Sequence, residues 1–314
     1  MTRVVCIGEC MVELRAIGED AFARSFAGDV YNTAVYLKRS LPAAQVQLLT
    51  ATGDDALSEA MRRTWGAQGI DDALAFSVAG GSPGLYLIET DACGERSFQY
   101  WRKESAARRW LALLGERGES ILRGADIVYW SGISLAILAP DERVAAVELL
   151  RRLRTHGGRI AFDPNVRLRL WQSPQAAAQC IRAAFSACDI ALPSAEDLAW
   201  LLGAAEPMRQ LDSLAEMGVS EVALTLGANG CAIADGARRT RLPGLSVERV
   251  VDTSGAGDSF NGAYLAGRLQ GCSPNQAAES ALRVASRVVT HAGAIVPASV
   301  SHPVAQHYGE GEIL

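Results

Sequence analysis

The chain has 314 residues, of which 49% are hydrophobic, enough to bury a core of one large domain or one domain with a substantial insertion. Its 30 basic and 35 acidic residues are interspersed and leave a formal charge of −5, which excludes a nucleic-acid stripe or a polybasic membrane segment and makes small-molecule chemistry the default. Seven cysteines form no Cys-x-x-Cys pair, and no apolar run approaches about 18 residues, so zinc clusters, a disulfide framework and a membrane span are excluded and a soluble cytoplasmic protein is expected.

In chain order, short apolar runs near residues 3–8, 46–50, 126–131, 159–163, 189–192 and 221–226 predict strands. Helical periodicity near 30–41, 55–68, 141–155, 174–186 and 194–202 alternates with them. Such alternation predicts an α/β fold with a mostly parallel sheet covered by helices on both faces. Segments 9–27 and 83–102 break the rhythm with period-2 character, as in Leu85 to Thr90 and Ser97 to Trp101, with Asp91-Ala92-Cys93-Gly94 as a turn. They predict a small β-sheet lid inserted in a single domain spanning 1–314, its second segment reaching about residue 105. Such a lid would keep water from a reactive centre.

Near the C-terminus, an apolar run from Val247 to Val251 predicts one more strand. The turn Asp252-Thr253-Ser254-Gly255-Ala256-Gly257-Asp258 then leads into a helix from about Phe260. Gly255 and Gly257 allow successive backbone N–H groups to converge on an anion at the helix start. A carboxylate at Asp258 fits such a nest if it takes a proton from a hydroxyl attacking a phosphoryl group; the bland reading is a helix-start acid stabilised by the dipole. Only Lys38 and Lys103 are lysines, and neither lies in a Gly-x-x-x-x-Gly-Lys loop, so Walker-type phosphate binding is excluded. Polar and glycine residues gather after each predicted strand: Gly8-Glu9, Ser131-Gly132, Asp163-Pro164-Asn165, Pro193-Ser194, Thr225-Leu226-Gly227 and Thr253-Ser254-Gly255. In a parallel sheet these lie along the carboxyl edge, where ligands bind.

Gly28-Asp29-Val30-Tyr31-Asn32, Thr225 to Gly230 and Asp252 to Asp258 together resemble the ribokinase-like, or phosphofructokinase-B type, carbohydrate kinases over essentially the whole chain. The resemblance implies a ribokinase-like fold, ATP with Mg2+, and a monovalent cation such as K+ for which Asp252 is a candidate, unless it only closes the turn. It implies that Asp258 is the catalytic base and that the amides of Gly255, Ala256 and Gly257 form the anion hole. Asn165, Ser194, Thr225, Gly227, Ala228, Gly230, Gly255 and Gly257 would meet the nucleotide, although Thr225 to Gly230 also reads as an ordinary strand-exit turn. Relatives often carry Asn-x-x-Glu where this chain has Ser194-Ala195-Glu196-Asp197. Asp197 either reaches the metal through water or sits at N3 of a helix capped by Ser194, and both readings stand.

The lid and acceptor loops resemble the kinases of 2-keto-3-deoxygluconate in that family, through Gly84-Leu85-Tyr86, Tyr100 to Ala107, Ser131 to Leu138 and Asp163 to Trp171. The implied reaction is ATP-dependent phosphorylation of the 6-hydroxyl. A sugar acid needs cations far from the base, for which Arg102 and Arg167 are candidates, with Tyr86, Tyr100, Gly28 and Asn32 lining the site. Arg102 could equally be a surface residue of the Arg102-Lys103 run, and Arg167 a packing residue of its loop beside Arg169 and Trp171. A neutral-sugar kinase of fructokinase or ribokinase type, or a non-catalytic sugar-acid or nucleotide binder, are the alternatives. An exposed lid face would favour a homodimer or higher oligomer.

Overall fold

The protein was described from a computed structural model covering residues 1–18, 20–90, 96–203 and 205–301. The expected turn at 91–94 therefore lies outside the described residues. The chain opens with β1 (Arg3–Ile7), then β2 (Met11–Ala16) and β3 (Phe22–Ala27), before α1 (Asp29–Ser40), β4 (Gln45–Thr52), α2 (Ala56–Ala67) and β5 (Ala75–Ser77). A hairpin of β6 (Leu85–Thr90) and β7 (Arg96–Trp101) precedes the short helices α3 (Trp110–Leu114) and α4 (Gly118–Leu122). Next come β8 (Ile127–Ser131), α5 (Gly132–Ala136), α6 (Pro140–Arg154), β9 (Arg159–Asp163), α7 (Pro174–Ser186), β10 (Ile190–Ala191), α8 (Ala195–Leu202) and α9 (Pro207–Glu216). The last third holds β11 (Glu221–Thr225), β12 (Cys231–Asp235), β13 (Arg238–Leu242), α10 (Ala256–Leu269), α11 (Pro274–Val288) and α12 (Ala298–Ser301).

Nine strands form the main sheet in the order β13-β12-β11-β10-β9-β8-β1-β4-β5, parallel from β11 to β5, with the β12–β13 hairpin added antiparallel at one edge. Pleating sends alternate residues to opposite faces. Val5 and Ile7 of β1 thus join one buried cluster with α6 and α7, while Val4 and Cys6 join another with α1, α10 and α11. Burial on both faces is why these strands are continuously apolar instead of alternating. Full burial of Trp65, Trp110 and Trp130 alone contributes a few kcal/mol each, roughly 1.5–3 per large apolar side chain.

The predicted lid is a separate four-stranded sheet, β3-β2-β6-β7, in which β2 and β6 run parallel and the outer pairs antiparallel. Phe22, Phe98 and Trp101 of this sheet are 47%, 40% and 56% exposed. The strand expected near 189–192 contracts to Ile190–Ala191, because Pro193 cannot donate to a ladder, yet Asp189 N and Leu192 N still bond to Ile160 O and Phe162 O.

One expected strand is absent. Val247 to Val251 has no strand partner; the N–H groups of Val251 and Asp252 donate instead to Val289 O at the end of α11 (2.8 and 3.2 Å). The sheet edge is already occupied by β13, and Val250 and Val251 stay largely exposed, so an apolar run alone had no surface to cover.

Candidate active site

Two helices begin at the carboxyl edge without a side-chain cap. Gly28 precedes α1, and Gly255, with φ 71°, precedes α10. Both glycines are required by close approach: a Cβ on Gly28 would lie 2.3 Å from Glu9 O, and one on Gly255 2.3 Å from Ala294 O. Uncapped first turns present backbone donors to an anion. Ala256 N donates to Thr253 O (3.2 Å), so that one of the three expected anion-hole amides is engaged within the turn.

The first turns of α1 and α10 meet through one bond, Asn32 Nδ2 to Asp258 Oδ2 (2.8 Å). Asp258 keeps partial exposure, but its carboxyl is pushed up to about 7, first by desolvation and then by the Asp29 charge. The Asn32 bond and the Arg167 charge pull it back. Such a group can hold or release a proton near neutrality.

Behind it lies a polar network of which sequence reading assigned only Asn165, and that to the nucleotide. Asn261 Nδ2 donates to Asp163 Oδ2 (2.9 Å), Asn165 N donates to Asp163 Oδ1 (2.9 Å), and Asn165 Nδ2 donates to Asp29 Oδ2 (2.8 Å). Asn165 is the one non-glycine residue with positive φ (30°) among those described. Asp163 is raised well above the usual carboxylate range, mainly by burial and then by Asp197, Asp29 and Asp258. The Pro164 carbonyl packs against Gly132, where a Cβ would come within 1.9 Å.

Ser194 and Asp197 take the helix-capping arrangement: Asp197 N donates to Ser194 Oγ (3.1 Å) and Ser194 Oγ donates to Asp197 Oδ2 (2.8 Å). Asp197 Oδ1 also accepts from Val166 N (2.9 Å), tying α8 to the loop after β9. Each oxygen keeps a lone pair, which suits a water-mediated cation better than direct ligation. Among the described residues no three His, Cys, Asp or Glu side chains form a metal cluster. Asp252 accepts from Ser254 N (2.7 Å) and Gly293 N (2.8 Å), which closes the turn and ties it to the segment carrying Ala294.

Thr225 N bonds Pro193 O (3.0 Å), and a 3-10 turn over Gly227–Asn229 follows. Gly227 and Gly230 have φ 58° and 92°, and Ala228 O lies against Gly244. A cavity of about 560 Å3 lined by Ser246, Val247, Glu248, Arg249, Val251 and Arg287 opens beside the segment entering the Asp252 turn. The Val247–Val251 run thus lines a cavity where a strand was expected.

The two arginines expected at the acceptor end are placed differently from one another. Arg102 is buried and ion-paired with Glu9, itself 1% exposed, while Arg102 Nε and Glu9 Oε1 have no hydrogen-bond partner among the described residues. Arg167 is exposed, bonds Val166 O (3.0 Å), and its charge reaches Asp258. Arg169, not assigned a role from the sequence, lays its guanidinium over the Tyr100 ring at 3.9 Å, and Tyr100 stacks on Tyr86 at 5.5 Å. The Tyr86 hydroxyl donates to Glu13 Oε2, whose other oxygen accepts from Ser25 Oγ (2.8 Å). The lid is thereby joined to the loop after β9 by a stacked Arg-Tyr-Tyr column.

With this geometry in view, comparison with known proteins is specific. The chain is 40% identical over 303 residues to a curated 2-dehydro-3-deoxygluconokinase of Escherichia coli K12, covering 94% of this chain and 97% of that protein. The crystal structure of a PfkB protein from Polaromonas sp. JS666 superposes with a TM-score of 0.85 at 26% identity, covering 96% and 99% of the two chains. A Vibrio cholerae O395 fructokinase double mutant, solved with fructose, ADP and potassium bound, superposes at TM-score 0.80 with 25% identity and 94% of each chain covered. The family description "pfkB family carbohydrate kinase" matches residues 1–300, and the chain belongs to that family of α/β sugar kinases.

Proposed function

We propose that the protein transfers the γ-phosphoryl group of ATP to the 6-hydroxyl of 2-keto-3-deoxygluconate (2-dehydro-3-deoxygluconate), giving the 6-phosphate and ADP. The observation that carries this reading is the Asn32–Asp258 pair at the meeting point of two uncapped helix starts, in a chain 40% identical to a 2-dehydro-3-deoxygluconokinase. The substrate hydroxyl donates to Asp258, which takes its proton as the oxygen attacks phosphorus and ADP departs. A carboxyl pushed up to about 7 is a better matched base than an ordinary aspartate, although positioning and charge stabilisation supply most of the acceleration.

The amides of Gly255 and Gly257 would face the transferred group, Ala256 N being engaged by Thr253 O, and Thr225, Gly227, Ala228 and Gly230 would follow the nucleotide phosphates and ribose. Its base would lie toward the open cavity lined by Arg249 and Arg287. Asn165 and Ser194 border the phosphates. Asp197 would hold Mg2+ through water, and the ion supplies charge neutralisation between the phosphates. Asp252, with the turn it closes, is the proposed monovalent-cation residue. Gly28 and Asn32 meet the middle hydroxyls, with Tyr86 and Tyr100 as ring faces. Arg167 and Arg102 face the acid end, Arg102 sharing its charge with Glu9.

Segments 9–27 and 83–105 act as a lid within a single kinase domain. The exposed Phe22 and Trp101, which share one face of that sheet, support pairing of two copies. No helix among the described residues is long and apolar enough to cross a membrane, and Cys6, Cys10, Cys180, Cys188, Cys231 and Cys272 are all free, as a reducing cytoplasm would keep them. The deciding experiment is an ADP-coupled acceptor panel of 2-keto-3-deoxygluconate, its galactonate epimer, gluconate, fructose and ribose. Turnover with the keto-deoxy acids and rejection of neutral sugars is expected; efficient turnover of fructose or ribose alone would replace this substrate with a neutral one.

A further inference from the structure

Asp29 opens α1, and Asn32, one turn along the same helix, holds the catalytic carboxylate. The Asp29 side chain points to the acceptor loop, where Asn165 Nδ2 donates to it (2.8 Å). Asn165 is held in an uncommon backbone conformation (φ 30°), fastened at its amide by Asp163 and at its side chain by Asp29. Asp163 in turn is gripped by Asn261, one turn beyond Asp258 on α10. The contacts therefore close a ring: α10 to β9, β9 to the acceptor loop, the loop to α1, and α1 back to α10. Arg167 rides on this loop two residues after Asn165.

We infer that Asp29 is a positioning residue of the transfer site, anchoring the Arg167 loop through Asn165 while setting a second negative charge beside Asp258. The inference rests on the proposed kinase reaction. The charge role is physically separable from the anchor. Asp29 is the charged neighbour that most strongly opposes ionisation of Asp258, and Arg167 opposes it in the other sense. The other titratable groups around the carboxyl are Tyr36 on α1, Tyr129 on β8 and Asp163 on β9, with neutral Asn32 completing the shell. A merely structural Asp29 would affect stability but leave the pH at which turnover switches on where it was.

Asp29→Asn keeps an oxygen that can accept from Asn165 and removes only the charge. Its acid limb of kcat against pH should move to lower pH by about one unit, with KM for the sugar acid within about twofold. Asp29→Ala also releases Asn165 and should raise that KM roughly tenfold as Arg167 loses its fixed loop. A D29N acid limb that overlays the parent's overturns the inference, and so does an unchanged KM in D29A; if D29A does not fold, D29N decides alone. Should the parent form no ADP with 2-keto-3-deoxygluconate, the proposed reaction fails, and thermal unfolding still tests Asp29. The Tm of D29N relative to the parent should then rise between about pH 4 and pH 7, because less work is needed to ionise Asp258 in the fold; a flat difference overturns the inference.

Discussion

Asn32 Nδ2 donates to Asp258 Oδ2 at 2.8 Å, so that in the proposed reaction Oδ1 is the oxygen that takes the proton. Asp258→Asn therefore removes the proton acceptor while keeping size. Turnover should fall by roughly 10²-fold or more with ATP affinity largely kept. Turnover within a few-fold of the parent would displace Asp258 from the mechanism.

The same carboxyl makes activity and stability respond to pH in opposite directions. The base works only when ionised, so kcat should climb through about pH 7 as Asp258 loses its proton. Folding favours the protonated form, because the folded group is raised from 3.8 to about 7. Its contribution to stability is therefore complete below about pH 4 and lost as pH rises through 7. Asp258→Asn removes this loss, so its Tm should exceed the parent's at pH 8 and converge with it near pH 4, at roughly 2–4 °C per kcal/mol. Equal differences at both pH values would contradict the shift.

Glu9 and Arg102 form an ion pair almost wholly withdrawn from water. Glu9→Ala leaves a buried guanidinium without its counter-charge and should cost about 3–5 kcal/mol in denaturant unfolding. Adding Arg102→Met should recover much of that stability while sugar-acid KM stays raised. Full stability in Glu9→Ala would show the pair to be of little structural weight.

Arg167 is exposed and, among the described residues, its side chain hydrogen-bonds only its own neighbour's carbonyl, so its removal should leave the fold intact. Arg167→Ala should raise the KM for 2-keto-3-deoxygluconate about tenfold or more with Tm nearly unchanged, whereas an unaltered KM would take it out of the acceptor site. Arg169→Ala, by unstacking Tyr100 at 3.9 Å, should weaken the same KM by a smaller factor.

Gly255→Ala places a Cβ 2.3 Å from Ala294 O at φ 71°. The obstacle is backbone, which cannot rotate away, and left-handed φ itself costs about 1–2 kcal/mol. Turnover should collapse more than affinity for the sugar acid. A fully active variant would show that the turn tolerates movement that the phosphoryl site was taken to forbid.

The fold was legible where burial dictates composition. Val4 to Ile7 or Ile160 to Phe162 must be apolar at every position because both faces are covered. The β12–β13 hairpin was not read, since an edge strand such as Arg238–Leu242 carries little apolar signal. Helix α11 also went unread, although Ser273-Pro274-Asn275-Gln276 is a capping box with proline at the first turn. At the site, glycines and Asp258 announced themselves because backbone approach restricts the residue type. Asp29, Glu9 and Arg169 did not, because their work depends on partners far along the chain: Asn165 and Arg102, 136 and 93 positions away, and Tyr100 in the lid.

The root of the lid lies against the start of α1. Strand β1 gives way at Gly8-Glu9-Cys10 to β2, and β3 returns through Gly28, where a Cβ would run into the Glu9 carbonyl. Entry and exit of the first lid segment therefore meet at one place, which is also the base of the helix bearing Asn32. In the proposed reaction, a tilt of the lid would act as a short-armed lever on the Asp258 carboxylate through Asn32, so that sealing the cleft and aiming the base would be one mechanical event.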